Sequence, residues 1–168
     1  MKKLIFLFAL FTGFVSFAQG PLHIYNYSSY DLSGRLYANS PSNCLPEVFT
    51  IYSVPAGQMV DIKSFNTSNL SNPPVNTWGV RTSPAGGTTS VSPPSGLLVT
   101  VGNFARWNFY WFKTRYAGTS TPTPDPDFNM GSNLCGISSV DYVHGVVTQA
   151  KWYYEPSTNE TTLIVEDI

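Results

Sequence analysis

Two histidines, His23 and His144, are the only imidazoles in this 168-residue chain that could act as a base near neutral pH. Each falls in a stretch that reads as a strand, where a lone histidine more often hydrogen-bonds at a rim than catalyses. No G-x-S-x-G elbow, H-E-x-x-H helix, C-x-x-C pair or Gly-rich loop ending in Lys-Ser/Thr accompanies them. A glycosidase needs two carboxylates about 5–10 Å apart, and Asp31, Glu47, Asp61, Asp141 and Glu155 are available. Any β protein offers such a supply. Function has to be argued from a site, so a small hydrolase or a hydrolase inhibitor ranks below a binding role.

Oxygen ligands recur at alternate positions in Asp125, Asp127 and Asn129, as they do at the start of a calcium loop. The glycine arrives one place late, at Gly131, and position twelve is Gly136 instead of a bidentate Glu. A solvated Asp/Asn turn accounts for the run better. Weak calcium binding, with help from Asp141, is the one cofactor the sequence leaves open.

Aromatic residues are the stronger signal. They make up 15% of the chain, while charged residues make up 11%, less than half the usual quarter or so. Sugar rings present C–H faces that pack on Trp and Tyr, and Asn, Arg or Asp beside them can bond the hydroxyls. The opposing reading is that each buried ring removes about 150–250 Å² from water and simply builds a core. Ile24, Leu32 and Leu36 already supply an inward apolar set near the N-terminus. The outer face of the first two strands is therefore expected to carry a ligand surface of Tyr25, Tyr27, Tyr30, Arg35 and Tyr37, with Trp111 as a further ring. The expected ligand is a polysaccharide or another cell-surface polymer. Nine Lys+Arg against ten Asp+Glu argue against nucleic acid, which demands clustered cations. A structural or adhesin-like role, with self-association through strand edges and tyrosines, is the alternative.

Compartment follows from the N-terminus. Lys2 and Lys3 precede an apolar run, residues 4–15, and Ser16-Phe17-Ala18 offers small residues where a signal peptidase cuts. The run is shorter than the roughly 20 residues that span a bilayer. Residues 1–18 are expected to be a cleaved signal peptide and residues 19–168 one secreted, periplasmic or extracellular domain with no membrane span. In an oxidising compartment, Cys44 and Cys135, the only cysteines, are expected to form a disulfide. Asn26, Asn66, Asn69 and Asn159 head formal glycosylation sequons.

The elements that must position these groups read as short strands separated by Gly, Pro, Asn and Ser clusters. The densest is residues 106–116, eleven residues without Gly or Pro. Strict alternation places Trp107, Phe109 and Trp111 on one face and Asn108, Tyr110, Phe112 and Thr114 on the other. Strands are also expected at 22–27, 32–38, 48–54, 59–65 and 77–81, at 97–101 before the aromatic strand, and in a terminal hairpin turning at 155–160. Residues 66–76 and 83–96 read as loops. Eight or nine strands of this kind predict an all-β, two-sheet antiparallel sandwich, jelly-roll-like or similar.

Overall fold

The computed structural model describes residues 19–168; residues 1–18, where a signal peptide is expected, lie outside the described residues. Among the described residues eleven strands, more than the eight or nine expected, make two sheets, so the all-β sandwich expected from the strand pattern is the observed fold. They are β1 (Leu22–Asn26), β2 (Tyr30–Asn39), β3 (Glu47–Val54), β4 (Met59–Ile62), β5 (Trp78–Arg81), β6 (Thr89–Val91), β7 (Arg106–Tyr116), β8 (Phe128–Gly131), β9 (Tyr142–His144), β10 (Thr148–Glu155) and β11 (Glu160–Asp167). One sheet runs β4-β1-β11-β10-β9 and the other β6-β5-β3-β2-β7-β8. All pairings are antiparallel except β1 with β11, which is parallel. The first strand thus completes the sheet that the terminal β10–β11 hairpin begins.

Three local readings change. Residues 97–101 are not a strand but part of α1 (Gly96–Gly102). Ser95 caps it through its hydroxyl, and Leu98 and Val101, three residues apart, turn inward. A 3-10 helix, Phe65–Leu70, occupies the first predicted loop, with Ser64 as its cap. Within the second lies β6, an edge strand of three residues.

The fourth change matters most. Between Tyr37 and Ala38 the β2–β7 register slips, pairing Tyr37 with Phe109 but Ala38 with Trp107. A residue added to one side of a ladder reverses the facing of everything beyond it. Trp107 therefore joins Tyr110 and Phe112 in the core, whereas Phe109 and Trp111 face out. Strict alternation, by contrast, puts Trp107, Phe109 and Trp111 on one face.

Inside, Trp107 meets Phe65 at 5.1 Å and Trp78 at 5.9 Å between ring centroids. The buried polar tips of the aromatic side chains here find acceptors. Trp107 Nε1 donates to the Gly20 carbonyl, Trp78 Nε1 to Ser68 Oγ, and the Tyr110 hydroxyl to the Tyr52 carbonyl. Burial pushes the Tyr52 phenol up to about 12 and raises that of Tyr110 too, so both remain donors through the neutral range.

Asn108, the residue at the slip, is fully buried. Its amide donates to Asn39 Oδ1 and the Leu134 carbonyl, and accepts from Leu134 N–H. Asn39 in turn donates to the Cys44 carbonyl. The slip thus knits together the two loops that carry the cysteines. Cys44 and Cys135 form the expected disulfide, with Cα atoms 5.4 Å apart.

Asn26 is buried as well, its amide donating to the Tyr30, Val54 and Pro55 carbonyls. A glycan on that sequon would displace all three bonds.

Candidate functional site

Because β1 and β2 belong to different sheets, the surface expected across the first two strands is split. Tyr25 and Tyr27 lie on the outer face of the five-stranded sheet, stacked with each other at 5.9 Å and continued by His23. Tyr30 sits at the end of β2, its ring edge-on to Tyr116. Arg35, Tyr37 and Trp111 come together on the outer face of the six-stranded sheet. That face is the candidate site.

Three strands build it in rows. Cross-strand pairing aligns Phe49 of β3, Tyr37 of β2 and Phe109 of β7. Their rings stack, Tyr37 lying 5.6 Å from Phe49 and 4.2 Å from Phe109. Glycines close the row at both ends, with Gly79 paired to Phe49 and Gly131 to Phe109. A Cβ at Gly79 would stand 2.6 Å from the Phe49 ring, so the ring lies flat there only because the position is glycine.

The neighbouring row is Ile51, Arg35 and Trp111, with Asn129 beyond. Ile51 is 75% exposed and Trp111 37%. The outward-facing cations around them are already engaged: Arg81 pairs with Glu47 and Lys113 with Asp127, each at 3.1 Å, and Arg115 donates to the Ser120 carbonyl. The Arg35 side chain makes no hydrogen bond or ion pair among the described residues. A free guanidinium, five donors in a planar fork, thus stands between an indole and an isoleucine.

Beside this row runs an open groove of about 450 Å³, within the range of small-ligand sites. Arg35, Phe49, Ile51 and Gly79 form its floor, and Asn76, Thr88 and Ser90 line its polar side. The loop over its margin is held to β3 by Thr50 Oγ1 donating to the Thr77 carbonyl and the Tyr52 hydroxyl donating to that of Pro73.

Phe49 and Ile51 escaped the sequence reading. They share a phase on β3, but Val48, Thr50, Tyr52 and Val54 share the other. With apolar residues on both sides, alternation separates the faces without saying which is outside.

The three residues of the calcium-like run do not converge on one point. Asp125 Oδ1 accepts from the N–H groups of Val146, Val147 and Thr148, and Oδ2 from the hydroxyls of Thr148, Thr114 and Thr123. Asp127 is paired with Lys113, and Asn129 donates to the Ser138 carbonyl. No group of three or more His, Cys, Asp or Glu able to hold a metal occurs among the described residues.

Asp125 is instead a clasp tying β7 to the turn between β9 and β10. Partial burial pushes its pKa up, but the bonds from Val147, Thr148, Val146 and Thr114 outweigh that and hold it below the usual carboxylate range. A depressed native pKa contributes stability above the unfolded carboxylate value, and loses it as pH falls through the native one. Stability should therefore decline below about pH 4. The Asp125→Asn variant should be weaker by about 1–3 kcal/mol at pH 7 and lose that part of the acid dependence, as urea melts from pH 3 to 7 would read.

The potential acid–base groups are dispersed. His23 Nδ1 lies 2.5 Å from Asp61 on the outer face of β1 and β4, while His144 belongs to β9, three strands away. Asp31 accepts from Ala56 and Gly118 N–H at one end of the β2–β3 ladder, and Glu47 binds Arg81 at the other. Glu155 caps Ser157.

Fold and site together define a class: a disulfide-tied, two-sheet β protein with a ring-lined, cation-bearing outer face. No family model, curated protein or solved structure matches the chain. No described helix is long and apolar enough to cross a membrane.

Proposed function

We propose that the protein is an exported, non-enzymatic binding module whose six-stranded sheet holds a hydroxyl-rich polymer, a polysaccharide first of all, across the rows of Arg35 and Tyr37. The observation that carries this reading is the free Arg35 guanidinium beside the half-exposed Trp111. Rings supply apolar area for sugar C–H faces, and the guanidinium supplies a planar fork of donors for the hydroxyls. The groove and its Asn, Thr and Ser margin extend the surface along the sheet, which suits a chain more than a single small molecule.

Purified protein should bind members of a glycan and polysaccharide array that includes neutral and uronate-bearing chains. Arg35→Ala and Trp111→Ala should each weaken the best ligand by about 10- to 100-fold, the loss typical of a central contact residue. Tyr25→Ala, on the far sheet, should leave it unchanged. Equal losses in all three variants would point away from this face.

A second reading has its own observation. The opposite outer face exposes Tyr27, Met59 and Tyr153, rings and a thioether of the kind enriched at protein contacts. A blank on every glycan, with concentration-dependent elution from a sizing column, would favour assembly through that face.

A further inference from the structure

We propose that Gln19 becomes the first residue of the exported protein and is cyclised there to pyroglutamate, with the lactam seated between α1 and the 3-10 helix. This inference is independent of what the sheet face binds. Cleavage after Ser16-Phe17-Ala18 would free the α-amine of Gln19, and the surroundings of that residue are shaped in an unusual way.

The backbone N–H of Gln19 donates to the Gly102 carbonyl at 2.8 Å. Its side-chain Oε1 accepts from Phe65 N–H at 2.9 Å. The remaining polar atom, Nε2, is buried without a partner. Flipping the amide does not help, because Phe65 N–H is a donor and needs the oxygen. Buried donors are rarely left unpaired, and such an orphan calls for an explanation.

Cyclisation removes that one atom and keeps the other two. The α-amine nitrogen attacks Cδ, the N–Cδ bond forms and the Cδ–Nε2 bond breaks. Nε2 leaves as ammonia, carrying a proton that the amine gives up. No oxidant, reductant or second substrate enters. The lactam retains one N–H for Gly102 and one C=O for Phe65. A five-membered ring holds these side by side on one edge, and the two partners are themselves neighbours. A Cβ at Gly102 would stand 3.5 Å from Gln19 Oε1 and 3.7 Å from Phe65 Cδ2.

Charge points the same way. The cavity around Gln19 is lined by Ser64, Asn66, Leu98 and Asn103 among others, with no carboxylate. A free α-ammonium would enter it without a counter-ion, whereas a lactam is neutral.

The full chain, exported by a secreting host, tests this by mass spectrometry of its N-terminal peptide after an amine-labelling step. The expected peptide begins at position 19, is lighter than the Gln form by about 17 Da, and takes no label. A labelled amine on Gln19, or a mature end at another residue, would overturn the proposal. Gln19→Ala supplies a second arm. It removes the acceptor for Phe65 N–H and leaves a labelled amine, so it should melt several degrees lower. Melting at the temperature of the blocked protein would overturn the seating of the lactam.

Discussion

Trp107→Ala is expected to remove about 3–5 kcal/mol of stability, while Trp111→Ala, four residues along the same strand, removes less than about 1 kcal/mol. Truncating Trp107 opens a cavity beside Phe65 and Trp78 and leaves the buried Gly20 carbonyl without its indole donor. Trp111 is more than a third exposed, and its ring carries no such bond. Guanidinium titrations of both variants check the pair. Simple alternation gives the two tryptophans one environment and so predicts similar losses. A difference of several kcal/mol is the signature of the register slip at Tyr37/Ala38. Similar losses would mean that β7 runs without it, and the outward placement of Trp111 beside Arg35 would fall with it.

Replacing both cysteines by serine should cost up to about 4–5 kcal/mol, because the bridge closes a loop across 91 positions and the entropy of so long a loop returns to the unfolded chain. The measured loss should fall short of that ceiling, since Asn39 and Asn108 continue to hold both loops by hydrogen bonds. Denaturant melts of the oxidised protein and the double variant supply the number. Adding Asn108→Ala to the double variant should then cost more than it does in the oxidised protein, because the amide network is the remaining tie. Equal costs in the two backgrounds would show that bridge and network act on separate parts of the fold.

Much of the architecture was legible because it depends on local pattern. Alternation in residues 32–38, the Pro and Gly punctuation, and the turn at 155–160 all survive in β2, the loops and the β10–β11 hairpin. Where reading by pattern failed, a tertiary contact had decided. Residues 97–101 look β-prone, but the Ser95 cap and the burial of Leu98 and Val101 make them helical. Asp125, Asp127 and Asn129 stand at alternate positions, yet each bonds a different group. Asp125 is taken by the N–H groups of a turn about twenty residues downstream, a partner that no local spacing announces.

The candidate site divides along the same line. Sequence by itself determined that the chain is all-β, poor in charge and rich in rings, and that Cys44 and Cys135 are its only candidates for a disulfide, because composition, period and cysteine count are properties of the string. It also placed Arg35 and Tyr37 on one face, since residues two apart share a face wherever no bulge falls between them. Only the tertiary structure decided that Tyr25 and Tyr27 belong to the other sheet, that Phe49 and Ile51 complete the rows, and that Trp111 faces outward while Trp107 does not. Sheet membership and register are set by strands distant in sequence, and a single added residue in a ladder exchanges inside for outside. That exchange is what places a free guanidinium beside an exposed indole.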